Sequence, residues 1–281
     1  MLDGRPVSAY FGVILPNYGP ALDRQELVAA TRAAEEEGFE SAWVTDHVAV
    51  PDDAPAAAVY GSVTESVVTM GYLLGLTGRI QIGISALIVP QREPVLSLKQ
   101  VLSLGYLSGG RVVIAVAPGW LEPEFERLGA PFAGRGKRLD AWIEGAGSDE
   151  TMRPRPARPL ELWAAGSGMA AVRRAARLGV WHPVALGPEQ ITPLAAELRR
   201  IRADARVILR IGITLAAKPD PGGTDERGRR AVSGPASYIA EQLTRYHEAG
   251  CDGFLVSLDT AKPGLPQRIQ RFAREVMRPV G

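Results

Sequence analysis

Two residues that could move a proton stand next to each other early in the chain, Asp46 and His47, at the end of the segment GFESAWVTDH. This segment is typical of a helix end followed by a short apolar strand, and α/β barrels carry their chemistry where strands end. A histidine gives or takes a proton near neutral pH, and an adjacent carboxylate can orient a cofactor. The alternative is a polar pair that only bonds the loop backbone. We predict that His47 is catalytic and that Asp46 belongs to a cofactor site.

A loop of small residues later in the chain could hold a phosphate group. In AAGSGM, residues 164–169, a strand is expected to end and a helix to begin. Free backbone N–H groups at the start of a helix bind phosphate well, and the Ser167 hydroxyl could add a bond. The alternative is an ordinary helix start with Ser167 as its capping residue. The loop therefore predicts a phosphate site.

A third candidate is the stretch AVAPGW, residues 115–120. Small residues would let a flat ring approach the backbone, and Trp120 could form a pocket wall. Ala117 and Trp120 are therefore candidate cofactor contacts, although Trp120 could instead cover the barrel rim. Two further histidines complete the set of three: His182 near an expected strand end, where it could face a pocket, and His247 on an expected helix surface.

Several other kinds of site are not expected. The dispersed histidines, with no HExxH and no cysteine cluster, argue against a metal, and the lack of GxSxG argues against a serine hydrolase. Cys251, the single cysteine, lies in an apolar stretch and is predicted to be a core residue. A net charge of +1 provides no field for gathering nucleic acid or anionic lipid. With no apolar run of about 18 residues and no signal-peptide pattern, the expectation is a cytoplasmic protein without membrane contact.

The elements that would position these residues alternate along the chain. Apolar runs suited to strands buried on both faces are separated by segments with helical spacing, the first of them capped by Asp23. Eight such strands favour a (β/α)8 TIM barrel in one domain, residues 1–281, over an open sheet, because no glycine-rich fingerprint follows the first strand. Residues 130–159 are predicted to form a flexible connection with a short helix at 137–143, and residues 219–230 a polar loop. The predicted strands span residues 10–15, 41–45, 80–89, 111–117, 160–165, 180–185, 207–216 and 253–257.

Taken together, these segments resemble the bacterial-luciferase-like superfamily, and most closely its branch that uses the deazaflavin coenzyme F420. The resemblance extends over nearly the whole chain, and its most specific parts are the Asp-His pair and the run from LSGGR to PGW. The matching segments read FGVILPNYG, AAEEEGFESAWVTDHVAVP, GISALIVPQREPVLSLKQVLSLGYLSGGRVVIAVAPGW, AAGSGMAAVRRAARLGVWHP and SGPASYIAEQLTRYHEAGCDGFLVSL.

The resemblance implies a role for each matching position. Asp46 and His47 match the pair that lies over the deazaflavin ring, with His47 handling a proton or contacting the ring. Ser85 and Ala86 match a site at which the family has a cis peptide bond without proline. The loop that binds the cofactor phosphate matches Gly166, Ser167, Gly168 and Met169.

The chain departs from the family at three places. Trp120 stands where some members have a catalytic glutamate, so that acid is absent. Leu104 and Gly105 stand before Tyr106 where the family usually has Leu-Asp. The insertion between the fourth and fifth strands, around residues 141–159, looks shortened, which would open or alter the substrate pocket.

We therefore expect an F420-dependent oxidoreductase that moves a hydride between the reduced deazaflavin and a small organic substrate. One alternative is an FMN-dependent monooxygenase of the same superfamily. Another is a barrel without a cofactor that has a binding or accessory role, which the shortened segment and the missing aspartate motivate. A homodimer is expected, since members of the superfamily commonly dimerise. The substrate depends on loops whose specificity the sequence does not reveal.

Overall fold

A ring of parallel strands forms the centre of the molecule. The computed structural model describes residues 9–20, 22–148, 151–225, 228–260 and 262–278. Eight strands lie in the order β6-β5-β4-β3-β2-β1-β9-β7, and pairing of β6 with β7 closes the ring. The predicted (β/α)8 TIM barrel is thus confirmed. The strands are β1 (Tyr10–Ile14), β2 (Ser41–Val44), β3 (Gln81–Ile88), β4 (Val112–Ala117), β5 (Glu161–Ala165), β6 (Val180–His182), β7 (Arg206–Leu215), β8 (Ala231–Gly234) and β9 (Gly253–Ser257).

Helices surround the barrel and bury their apolar faces against the outer side of the strands. Asp23 caps the first of them as predicted, since its carboxylate accepts a bond of 2.8 Å from the Glu26 N–H. The helices are α1 (Arg24–Glu36), α2 (Ala57–Tyr60), α3 (Ser66–Leu76), α4 (Pro94–Leu107), α5 (Glu122–Arg127), α6 (Arg135–Ser148), α7 (Met169–Leu178), α8 (Pro188–Ile201), α9 (Ala236–Glu248) and α10 (Leu265–Phe272), with a 3₁₀ turn at Val89–Gln91 and a π turn at Ala273–Met277.

The segment between β4 and β5 is more ordered than the sequence indicated. The short helix predicted at 137–143 is present but longer, because α6 has 14 residues. The prediction of a flexible connection was therefore wrong for the residues of α6 that flank 137–143. Leu139, Trp142 and Ile143 are buried at helical spacing, so tertiary packing outweighs the poor helix propensity of the two glycines near the end of α6. Residues 149–150 of this segment lie outside the described residues.

The polar loop predicted at 219–230 leads into a strand that the sequence did not reveal. β8 pairs in parallel with the last part of β7, from Gly212 to Leu215, and lies beside the ring. It has only four residues, too few for its apolar pattern to stand out. Residues 226–227 of the preceding loop lie outside the described residues, as do residues 1–8, where no signal peptide is expected.

Large aromatic side chains fill the barrel below its carboxyl-terminal mouth. The rings of Trp43 and Trp163 lie 4.7 Å apart between their centroids, and both are fully buried. Glycine at position 83 makes room for them, because a Cβ there would lie 2.5 Å from the Trp43 ring. The interior is therefore packed, and a ligand can be held only above this layer.

In the described part of the chain, no helix is both long enough and apolar enough to cross a bilayer. The cytoplasmic location stays a prediction.

Candidate functional site

A cavity of about 470 Å³ lies at the carboxyl ends of the strands, above the aromatic layer. Most of the residues predicted for the site line it, although more than a hundred positions separate the first from the last. Gly168 and Met169 do not line it and lie at the start of α7, next to the cavity wall. The predicted residues in the lining are Asp46, His47, Ser85, Ala86, Ala117, Trp120, Gly166 and Ser167.

His47 is held at the cavity wall by a carboxylate that the sequence analysis did not select. Its Nδ1 lies 2.8 Å from Oε2 of Glu124 on α5, and both side chains are almost fully buried. The ring also packs against Tyr60, with 4.1 Å between the ring centroids and 37° between their planes. Among the described residues, none hydrogen-bonds to Nε2 of His47, so this nitrogen is the one left for a ligand.

The Glu124 carboxylate accepts four hydrogen bonds in a buried position. Its Oε2 accepts from His47 and from the Gln91 side-chain amide, both at 2.8 Å. Its Oε1 accepts from the backbone N–H groups of Val48 at 2.7 Å and Ala49 at 3.2 Å. Burial opposes ionisation, but the bonds from these donors and the attraction to His47 outweigh it and lower the pKa of Glu124 to about 2.

The Asp46 carboxylate is engaged by the protein. Arg92 binds it with two nitrogens at 2.7 and 2.8 Å, and also contacts Glu65 at 2.9 Å. The hydroxyl of Ser66 and the N–H of Ile88 donate to it at 2.6 and 2.7 Å. Two oxygens of a carboxylate have about four acceptor sites, so these bonds saturate Asp46. Its carboxylate therefore anchors the end of β2 to β3.

The floor of the cavity is polar. The hydroxyl of Ser85 lies 2.8 Å from Nε2 of His182, and Nδ1 of His182 lies 2.7 Å from the carbonyl oxygen of Ile208. Arg210 donates to the Ser85 carbonyl oxygen at 2.7 Å. Burial and the nearby Arg210 lower the pKa of His182 to about 4, so its imidazole is neutral at physiological pH. The peptide bond between Ser85 and Ala86 is cis, as the resemblance implies.

The loop before α7 exposes backbone to the cavity. Gly166 has φ +134, which only glycine adopts readily, and its carbonyl oxygen accepts from the Trp181 indole at 2.7 Å. Gly168 occupies the capping position of α7, and no side chain caps the helix. Ser167 is therefore not the capping residue, and the first N–H groups of α7 are free of a side-chain acceptor.

Trp120 lies at the rim of the cavity, with 60% of its surface exposed. Its ring meets that of His47 edge-on at 6.4 Å between centroids. The residue before it, Gly119, has φ +83, and a Cβ there would lie 2.6 Å from Ile88 and 2.7 Å from Phe125. The turn is thus restricted to glycine, which fixes where Trp120 enters the rim.

Several residues of the site were missed by the sequence analysis, and three of them show why. Arg210 had a usable signal, because it is the lone charge in the apolar run VILRIGITL and alternates with the inward-facing Ile208. Glu124 had none, since it sits in the polar stretch EPEFER, which is typical of a solvated helix. Tyr60 lies on the four-residue helix α2, inside a segment that looked like a loop. Within the described residues, no group of three or more acidic, cysteine or histidine side chains could hold a metal.

Comparison with known proteins identifies the family. Residues 11–145 match the model of the luciferase-like monooxygenases. An uncharacterised protein of Mycobacterium tuberculosis is 29% identical over 206 residues, which are 63% of this chain and 72% of that protein. The alkanal monooxygenase alpha chain of Photorhabdus luminescens is 27% identical over 139 residues, which are 48% of this chain and 36% of that protein.

A solved structure of similar fold extends the comparison to the whole barrel. The coenzyme F420-dependent tetrahydromethanopterin reductase of Methanopyrus kandleri superposes with a TM-score of 0.74 at 15% identity, covering 98% of this chain and 100% of that one. At this identity the likeness concerns the fold. The family match extends from β1 into α6 and includes His47, Trp120 and Glu124. Over residues 11–145 the chain matches the luciferase-like monooxygenase family.

Proposed function

We propose that the protein is an oxidoreductase that uses coenzyme F420 to move a hydride to or from a small organic substrate. The observation that carries the proposal is that the buried His47 and a glycine loop leading into a helix start line the same cavity. A proton-transfer group and an anion-binding backbone are the two features that a deazaflavin enzyme needs from its protein. The known F420-dependent fold relative supports the choice of cofactor.

The shape of the cavity fits a flat ring. Its volume of about 470 Å³ lies within the usual range of ligand sites. Ala86, Ala117 and Gly166 line it and leave backbone accessible, while Trp120 and His47 add aromatic surfaces at the rim and wall. These residues would enclose the ring system. When bound in its reduced form, the cofactor supplies the hydride.

The start of α7 would hold the cofactor phosphate. The N–H groups of its first turn lack a side-chain cap, and the helix dipole favours a negative charge there. Ser167 is exposed beside them and can add a hydroxyl donor. Gly168 leaves the space above the helix end open, because no atom lies within 4 Å of the Cβ that it lacks.

His47 would exchange a proton with the substrate through Nε2. Reduction of a carbonyl needs a hydride on carbon and a proton on oxygen, and oxidation of an alcohol needs both removed. His47 is the titratable side chain at the cavity wall whose second nitrogen is left for a ligand. A histidine can serve in either direction near neutral pH.

Fluorescence titrations with F420 and with FMN test the choice of cofactor, and a deazaflavin lacking the phosphate-bearing side chain tests the phosphate site. We expect saturable binding of F420 and weaker binding of the truncated ring. Gly168→Asp should weaken F420 binding about tenfold or more, because it places a carboxylate at the helix start without a steric clash. Gly168→Ala is the uncharged control and should bind as the wild type. If the protein binds neither F420 nor FMN, the proposal is contradicted.

A second candidate is an FMN-dependent monooxygenase. The family model and the similarity to the alkanal monooxygenase alpha chain favour it. The two candidates differ chemically, because a deazaflavin lacks the ring nitrogen that supports oxygen activation. Tight FMN binding combined with oxygen consumption on addition of reduced FMN would favour the monooxygenase.

We also propose that a second copy of the chain covers an apolar surface formed by α3 and α4. Large apolar side chains are exposed on these neighbouring helices, and such surfaces in one region are typical of protein contacts. Light scattering after size-exclusion chromatography should report a dimer, and Leu96→Glu should shift it to the monomer. A wild-type monomer would contradict this proposal. The exposed residues include Val68, Val95, Leu96 and Leu107.

A further inference from the structure

We propose that Glu124 is the positioning residue for His47, fixing the proton on Nδ1 and leaving Nε2 as the atom that exchanges a proton with the substrate. The contact between the two side chains carries this inference, with 2.8 Å between Nδ1 and Oε2. The catalytic part rests on the proposed function, whereas the positioning of the proton does not. Glu124 does not line the cavity, so it acts through His47.

The other hydrogen-bond partners of Glu124 show which side donates in its bond with His47. Val48 and Ala49 approach with backbone N–H groups, and Gln91 with its side-chain nitrogen, so these neighbours are donors. An ionised carboxylate has no proton to give and accepts at all four sites. Nδ1 of His47 must therefore carry the hydrogen of the shared bond.

The same arrangement holds whether His47 is neutral or charged. In the neutral ring one nitrogen donates and the other accepts, so a proton on Nδ1 leaves the lone pair on Nε2. When the ring gains a second proton, that proton enters at Nε2, and the charge is balanced by the buried carboxylate at Oε2. Gain and loss of a proton thus occur at one atom, the one not engaged by Glu124.

Position 124 places an acid beside His47, whereas position 120 holds tryptophan. Some family members have a catalytic glutamate where this chain has Trp120. Glu124 lies four residues later, on α5, and reaches the Asp-His segment from behind the histidine ring. The acid is present near the site, but its contact is with His47.

Glutamine at position 124 cannot reproduce this arrangement. Its amide has one acceptor oxygen and one NH₂ donor, and in both orientations the NH₂ points at groups that are donors themselves. One orientation directs it to His47 and Gln91, the other to Val48 and Ala49. If it faces His47, the ring must accept at Nδ1 and carry its proton on Nε2. If it faces Val48 and Ala49, the backbone of the loop loses its acceptor.

Nitrogen-15 NMR of histidine-labelled, cofactor-free protein tests the positioning directly. The chain has only three histidines, so the His47 signals can be identified by their loss in His47→Gln. We expect the neutral His47 of the wild type to carry its proton on Nδ1, and Glu124→Gln to move it largely to Nε2. Glu122→Gln, the same change at an exposed position of α5, is the control and should leave the tautomer unchanged. A wild-type proton on Nε2 would overturn the proposal. So would an unchanged tautomer in Glu124→Gln if the amide signals of Val48 and Ala49 stay unmoved, which would show that the loop has kept its acceptor.

Kinetics with the loaded enzyme then separate positioning from catalysis. We expect Glu124→Gln to lower kcat about 10²-fold with little change in KM, as is typical when a proton-transfer group is misaligned. Glu124→Asp keeps the charge and should restore the Nδ1 tautomer and part of kcat. Should Glu124→Gln fail to fold, the tautomer of the wild type remains the test of the proposal. A switched tautomer with unchanged kcat would support the positioning and contradict the catalytic role of His47 under the proposed function.

Discussion

The hydroxyl of Ser85 on β3 and Nε2 of His182 on β6 lie 2.8 Å apart inside the barrel, although β4 and β5 separate their strands. Nδ1 of His182 faces the carbonyl oxygen of Ile208, which can only accept, so Nδ1 carries the proton and Nε2 accepts from Ser85. The neutral imidazole thus connects the cavity floor with β7. Protonation of this buried ring would reverse that bond, because Nε2 would then donate to the Ser85 hydroxyl.

This relationship predicts a pH-dependent component of stability. Burial lowers the pKa of His182 from 6.5 to about 4, so between these values the unfolded chain binds the extra proton. Stability therefore rises with pH through this window and reaches its full value above about pH 6.5. The group should contribute roughly 3 kcal/mol to the difference in unfolding free energy between pH 4 and pH 7.

Urea unfolding of wild type and His182→Asn across this pH range measures that contribution. The asparagine keeps a donor for the Ile208 carbonyl oxygen and removes the titrating ring. The variant should be less stable than the wild type at pH 7 and should show a shallower pH dependence between pH 4 and pH 6.5. Equal pH dependence in both proteins would show that His182 does not titrate in this window.

Removal of the His47 ring should affect turnover more than cofactor binding. Under the proposed function, His47→Ala should lower kcat by about 10²- to 10⁴-fold, the usual contribution of general acid–base catalysis. The dissociation constant for F420, measured by fluorescence, should change little, because the ring surface and the phosphate site remain. His247→Ala, on α9 and outside the cavity, is the matched control. Equal losses in turnover and binding would assign His47 to ligand contact alone.

Neutralisation of Asp46 should destabilise the fold. The Arg92 side chain is only 10% exposed, and in Asp46→Asn its guanidinium would keep Glu65 as its one acidic contact among the described residues. Breaking a buried ion pair on one side typically costs about 3–5 kcal/mol. Urea unfolding at pH 7 measures the loss. Asp23→Asn, at the exposed start of α1, is the control and should change stability little, since asparagine also caps helices. An equally small effect at position 46 would contradict the anchoring role.

The aromatic layer predicts a position at which a single methyl group is not tolerated. Gly83→Ala would bring Cβ to 2.5 Å from the Trp43 ring, which cannot retreat because it packs against Trp163. A loss of about 3 kcal/mol in unfolding free energy is expected. A Cβ added at Gly75 on α3 would have no neighbouring atom within 4 Å. Gly75→Ala should therefore stabilise the protein by about 0.5–1 kcal/mol. Thermal or urea unfolding compares them, and a neutral Gly83→Ala would mean that the aromatic layer is loosely packed.

The barrel and much of the site followed from local patterns. Apolar runs suited to strands buried on both faces predicted the barrel, and β9 was predicted to the residue. The rule that strand ends carry function selected both His47 and Gly166. It did so from each local segment, without information on how close the two residues lie in the fold. Both residues line the same cavity, and the signal for each lay within a few neighbouring residues.

The remainder depended on contacts between distant segments. Glu124 binds His47 across 77 positions, and its local sequence is that of an exposed helix. The helix α6 was predicted too short because its glycines and charges suggested flexibility, while Trp142 and its apolar neighbours pack on the core. A buried acid, or a helix stabilised by tertiary packing, depends on contacts with residues far away in the chain. A single sequence does not show which residues those are.

The packed layer around Trp43 has a consequence for the order of events in turnover. Because aromatic rings fill the barrel beneath the cavity, molecules reach His47 from the carboxyl-terminal face. Two ligands that share this approach must enter in sequence, and the one seated deeper must leave last. The barrel thereby imposes an order of binding, and product-inhibition patterns would show which molecule binds first.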